Sequence, residues 1–228
     1  MDAAFGLELM LLALAWAATL LVRPWRLLRP VQGKVPLATP MLALAVVLAW
    51  LWAWPGLATL PLPLHWSGAP LAVLLVGWPL AVAVVTFAGF STVVSTGASF
   101  ADALSLVVWS GLVPATLVLG LGHLVRVAFG PNPVAYMLGR AFFVPMVALG
   151  GCGLAAATLA QSFAGPTGDL QRIAIGLLAM GEAAWTCAIV SLLVAYKPQW
   201  LATWSDRLYF GRPARAGVAR ARPVQPPR

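Results

Sequence analysis

Six apolar blocks run along the chain, and they constrain its fold more than any other feature. They are Ala4–Val22, Leu37–Trp54, Ala69–Phe90, Leu104–Gly122, Ala141–Ser162 and Ile173–Tyr196, with Pro, Gly and polar residues gathered between them. About 20 apolar residues in helical form cross the roughly 30 Å hydrocarbon layer of a bilayer. Buried helices of a soluble protein would carry polar faces at helical spacing, yet Leu71–Phe90 is apolar all round. Strands of a membrane barrel would alternate polar and apolar residues, and these runs do not. The expected fold is all-α: a polytopic transmembrane bundle of about six helices, several kinked by proline, integral to the cell (inner) membrane with the lipid bilayer as partner.

Of the 228 residues, 61% are hydrophobic and 9% charged, which leaves no room for a soluble domain of ordinary size. The expected organisation is a transmembrane helical domain over 1–197, then an interfacial amphipathic segment and a disordered basic tail over 198–228. Within the latter, Trp200, Leu201, Trp204, Leu208 and Tyr209 recur at near-helical spacing, as in a helix lying in the membrane surface. The Arg/Pro/Ala run after Gly211 cannot bury a core. The first block has Asp2 and Glu8 at its start and Arg23 and Arg26 after it, the reverse of a signal peptide, and reads as a spanning anchor. The net charge of +8 reads as Lys and Arg collected at cytoplasmic membrane edges. No nucleic-acid partner is expected, since no basic fold or RNA-binding motif accompanies the charge.

Basic residues fall in three groups: Arg23, Arg26, Arg29 and Lys34; His123, Arg126 and Arg140; and a tail from Lys197 to Arg228. The positive-inside rule puts all three on the cytoplasmic side, but six complete crossings cannot. Either one block between Leu37 and Gly122 fails to cross, Leu104–Gly122 being the weakest, or the first loop overrides the tail. The latter gives the expected topology: six spans, with the tail across the membrane from Arg23–Lys34.

Glu182 lies near the middle of the last block, where an ionisable group is costly unless paired, hydrated or protonated. It reads either as a proton or cation site or as a carboxyl that donates a hydrogen bond across the bundle, a role glutamine would fill equally well. Gly150, Gly151, Gly153 and Ala157 offer a smooth helix face for close backbone approach. Pro40, Pro79, Pro114 and Pro145 place one proline in each of the second to fifth blocks, as hinges or as packing. Cys152 and Cys187 sit inside apolar blocks and read as packing residues. His65–Trp66 with Trp50, Trp52 and Trp54 resembles an aromatic belt at a membrane surface. The sequence carries no catalytic motif, and no metal or cofactor is expected.

From Arg23 onward the order of elements resembles the Yip family of multi-pass membrane proteins. Arg23–Pro24–Trp25–Arg26 is similar to that family's proline-and-arginine element ahead of its membrane region. Phe100–Ala101–Asp102–Ala103–Leu104, followed by Trp109 and Pro114, is similar to its Phe-x-x-Ala segment leading into a helix with an aromatic residue and a proline. The departures are an extra apolar block ahead of the basic element, Trp109 where tyrosine is usual, and Pro114 about one residue late. The resemblance implies a bundle of about five spans without known catalysis, acting in membrane organisation or partner binding. Two functions are carried forward. One is a non-enzymatic membrane organiser or accessory subunit that contacts other membrane proteins. The other is a small-solute or ion transporter, or the membrane-embedded substrate-binding component of a permease, using Glu182.

Overall fold

The computed structural model describes residues 3–26, 28, 37–54, 66–159 and 166–209. Helix α1 (Ala3–Val22) is followed by a 3-10 turn over Pro24–Arg26, then by α2 (Ala38–Trp52), α3 (Ala69–Val76) and α4 (Trp78–Thr96). Helix α5 (Phe100–Phe129) contains a π-helical stretch over Val107–Leu112. Helix α6 is π-helical over Ala135–Phe143 and α-helical over Val144–Leu159. Helix α7 (Pro166–Tyr196) leads into a 3-10 turn over Pro198–Trp200 and the single turn α8 (Asp206–Tyr209). The all-α bundle is as expected. Within α1, α4, α5, α6 and α7 lie five segments long and apolar enough to cross a membrane: Ala4–Val22, Trp78–Thr96, Phe100–Phe129, Ala135–Thr158 and Gly168–Tyr196.

The third apolar block departs from the expectation of a single span. Gly77 adopts φ 82° and ψ 158°, a conformation that costs glycine little and other residues much. Pro79 follows in the first turn of α4, where its missing N–H is tolerated. The chain therefore breaks after eight residues of α3, about 12 Å of helix. At the other end of α3, Gly68 is left-handed (φ 66°), and a Cβ on it would lie 2.6 Å from Cδ1 of Leu48.

Helices α2 and α3 pack as an antiparallel pair. An apolar groove joins Pro40, Ala43, Leu44 and Val47 of α2 to Leu71 and Leu75 of α3 and to Trp200 beyond α7. The far ends of the pair also meet, because Trp52 Nε1 donates to the Trp66 carbonyl at 2.8 Å. Leu37 and Gly77 thus lie at the end of the bundle where α7 finishes, and α4, α5, α6 and α7 then cross in alternation. Helix α1 meets α5 at Trp109, whose Nε1 donates to Glu8 Oε1 at 3.0 Å. The end of the bundle where α7 finishes holds His123, Arg126, Arg140 and Lys197, while Asp102 and the Asp169–Arg172 ion pair (3.0 Å) lie at the other.

The topology expected from six complete crossings is corrected on this point. Four helices, α4 to α7, separate Gly77 from Lys197, so the start of α4 and the start of the tail share an end of the bundle. Leu104–Gly122, the block expected to be weakest, lies inside the continuous helix α5. Hydropathy alone does not register the break at Gly77, because Gly-Trp-Pro is as apolar as its surroundings. Arg29, Lys34 and residues 210–228 lie outside the described residues.

The segment after α7 differs from the expected amphipathic helix over Gln199–Phe210. It is irregular between its two short turns, and Leu201, Trp204 and Tyr209 are buried in the core rather than laid on lipid. Trp204 and Tyr209 stack at 4.4 Å, and both pack edge-on against Tyr136 of α6. Ala202 N donates to the Leu75 carbonyl at 2.7 Å, and Thr203 Oγ1 donates to the Leu74 carbonyl at 2.9 Å. The last carbonyls of a short helix have no intrahelical partners, and within a bilayer no water reaches them. This segment supplies the missing donors for α3.

Small residues set the helix spacing. A Cβ on Gly89 of α4 would overlap Val107 of α5, and one on Gly111 would lie 2.9 Å from Cβ of Val85. On α6, a Cβ on Gly153 would lie 2.7 Å from Cγ2 of Ile175 on α7, and one on Gly150 would lie 3.8 Å from Cβ of Ala179. Ala157 is buried, whereas Gly151 faces open space. Gly153→Leu is expected to force α6 from α7 and cost roughly 1–3 kcal/mol, as overpacking of a filled core does. Gly151→Leu should leave the melting temperature near that of the parent, and thermal unfolding in detergent checks the pair.

Candidate functional site: a carboxylate at the mouth of a half-helix

The backbone N–H groups of Ser67 and Gly68, which lead into α3, have no intrahelical partners, and the side chain that meets them is Glu182. Its Oε1 accepts from Gly68 N at 2.6 Å and its Oε2 from Ser67 N at 2.8 Å. The carboxyl is 2% exposed. Fourteen residues separate it from Tyr196, about 21 Å of helix, so the half-helix begins deep in the bundle. A negative side chain at a helix N-terminus also meets the positive end of the helix dipole. The expected hydrogen bond across the bundle is present with its direction reversed: both oxygens of Glu182 accept.

The network continues through Ser67. Its Oγ accepts from Ala69 N at 3.1 Å and donates to the Ser110 carbonyl at 2.5 Å. That carbonyl is reachable because Pro114, four residues on, has no N–H to offer it, and the π-helical stretch Val107–Leu112 ends just before this proline. The second π-helical stretch, Ala135–Phe143, likewise ends two residues before Pro145. Both prolines therefore follow local widening of their helices, and π-helical turns recur at functional sites. Pro40 and Pro79 instead lie in the first turns of α2 and α4.

Trp52 and Trp66 also belong to this centre. The indole N–H of Trp52 satisfies the Trp66 carbonyl, and its ring reaches Gly89 and Gly111. Trp50 and Trp54 do stay on the surface, edge to face at 4.4 Å. His65 lies outside the described residues, and His123 is exposed at the basic end. A second buried carboxylate, Glu8 at 8% exposure, meets Trp109, the neighbour of Ser110, from the side of α1.

Among the described polar residues Thr86, Ser110, Thr116, Glu182, Thr186 and Ser191 of the apolar blocks, Glu182 and Ser110 join one network. Thr86 bonds to its own helix at Val82, Thr116 accepts from Trp78 Nε1, and Ser191 meets Met137 Sδ at 3.6 Å. Thr186 is buried one turn beyond Glu182. Cys152 is buried, while Cys187 Sγ contacts the Met137 carbonyl at 3.6 Å. Ser67 and Gly68 carry the site and gave no periodic signal, being a short polar pair at the foot of an apolar block. Comparison with known protein families, curated proteins and solved structures found no match.

Proposed function

We propose that this protein is the membrane-embedded component of a solute permease, with Glu182 as its proton- or cation-responsive group. The observation that carries this reading is the half-helix α3, whose N-terminus ends on the Glu182 carboxylate deep among the crossing helices. Membrane helices interrupted by Gly or Pro, with half-helix ends at mid-depth, are how many transporters build sites for ions and charged substrates. The broken third block and the two π-helical stretches that end before Pro114 and Pro145 fit that plan.

The test is thermal unfolding of the purified protein in nanodiscs across pH and in sodium, potassium or magnesium salts, comparing wild type with Glu182→Gln. The reading expects at least one of these conditions to shift the melting temperature of the wild type and leave that of the variant in place. Equal responses of the two proteins would remove Glu182 as the responsive group.

A second reading, a non-enzymatic membrane organiser or accessory subunit, is favoured by the packing around the network. Val73, Val76, Val82, Val85, Val107 and Val108 of the core are each no more than 1% exposed, and every polar atom named in the network is bonded. In that reading Glu182 is a structural cap, and the resemblance to the Yip family goes with it.

A further inference from the structure

Arg140 lies in the second turn of α6, on the seam with α5 and about two helical turns in from the end of α5 at Phe129. The glycine at position 122 makes room for its guanidinium: a Cβ there would lie 3.1 Å from Arg140 Nε. From below, the ring of Tyr136 faces it, with 5.5 Å from Cζ to the ring centroid. The Nε atom is buried and has no hydrogen-bond partner, and Arg140 forms no ion pair among the described residues. Asp206, in the segment whose Trp204 packs on Tyr136, accepts from Trp204 Nε1. Arg126 projects one turn along α5 from Gly122, next to the same seam, and is exposed. His123 is exposed beside it.

We infer that the seam between α5 and α6 at the basic end is a binding site for the phosphate of a phospholipid whose headgroup carries net negative charge, held by Arg140 and Arg126. Arg140 is half-buried and has no counter-charge among the described residues, and at the edge of a bilayer the available counter-charge is phosphate. Arginine suits that role because its planar fork binds two phosphate oxygens at once. Basic pockets between membrane helices on the cytoplasmic side hold such headgroups in general. Tyr136 fixes the inner wall, since its hydroxyl and that of Thr203 share a 2.7 Å hydrogen bond. Lipid bound here therefore also bears on the segment that caps α3.

This inference needs only the seam and stands whether or not Glu182 responds to cations. Wild type, Arg140→Gln and Arg126→Gln are reconstituted in nanodiscs of phosphatidylcholine with and without phosphatidylglycerol. Retained lipid is measured by mass spectrometry, and the melting temperature is recorded. Wild type is expected to retain phosphatidylglycerol roughly tenfold over phosphatidylcholine and to melt higher with it, the tenfold corresponding to one charge-assisted contact. Arg140→Gln should lose the preference, and Arg126→Gln should weaken it. Inorganic phosphate is titrated in parallel: competition at millimolar concentration upholds the phosphate chemistry but makes the ligand a soluble ion. Should Arg140→Gln fail to fold, the wild-type preference and its weakening in Arg126→Gln carry the test. A wild type without preference, or an unchanged preference in the arginine variants, would overturn the inference.

Discussion

Glu182→Leu is expected to lower stability by roughly 3–5 kcal/mol, the scale of removing one partner from a buried charged interaction. Leucine fills much of the space but leaves Ser67 N and Gly68 N, now bonded at 2.8 and 2.6 Å, without acceptors. Water cannot replace the lost bonds in the packed centre, and each buried N–H left alone costs about 1–3 kcal/mol. Glu182→Gln is expected to cost about half as much. One oxygen remains for one N–H, while the amide NH₂ is turned toward the other. The sequence alone suggested that glutamine would be neutral; two accepting oxygens make it unfavourable. Thermal unfolding of wild type, Gln and Leu variants in detergent should rank them in that order, and a Leu variant as stable as wild type would show that α3 does not depend on this cap.

What the sequence made legible was what hydropathy encodes. The blocks Leu104–Gly122 and Ile173–Tyr196 mark the apolar parts of the helices Phe100–Phe129 and Gly168–Tyr196, which begin further out at polar and capping residues. Ser99 caps Asp102 N at 3.1 Å at the start of α5, for example. Glu182 stood out because a carboxylate in an apolar block has few explanations. Its partners did not, since they are backbone N–H groups, which no side-chain pattern reveals. Glu8 looked like an ordinary N-terminal charge, because its burial depends on Trp109, 101 residues away. The break at Gly77 was hidden by its apolar neighbours, yet it reverses the inferred sidedness of everything before it. The conflict between the basic groups and six crossings was its visible trace: the second block forms only the short helix Ala38–Trp52, and the third is long enough to cross only from Trp78 onward.

The antiparallel pair α2–α3 is what brings α3 onto Glu182 and what puts Leu37 and Gly77 at one end, so sidedness tests the account most directly. The positive-inside rule then assigns the end that holds His123, Arg126, Arg140 and Lys197 to the cytoplasm. Single cysteines at Trp25, Asn132 and Lys197, and at Gly97 for the opposite end, are placed in a background with Cys152 and Cys187 replaced by alanine. They are then probed in sealed membranes with a thiol reagent that does not cross the bilayer. The account predicts that positions 25, 132 and 197 label only from the cytoplasmic side and position 97 only from the other. Labelling of positions 25 and 197 from opposite sides would mean that the α2–α3 pair crosses the membrane, and would contradict it.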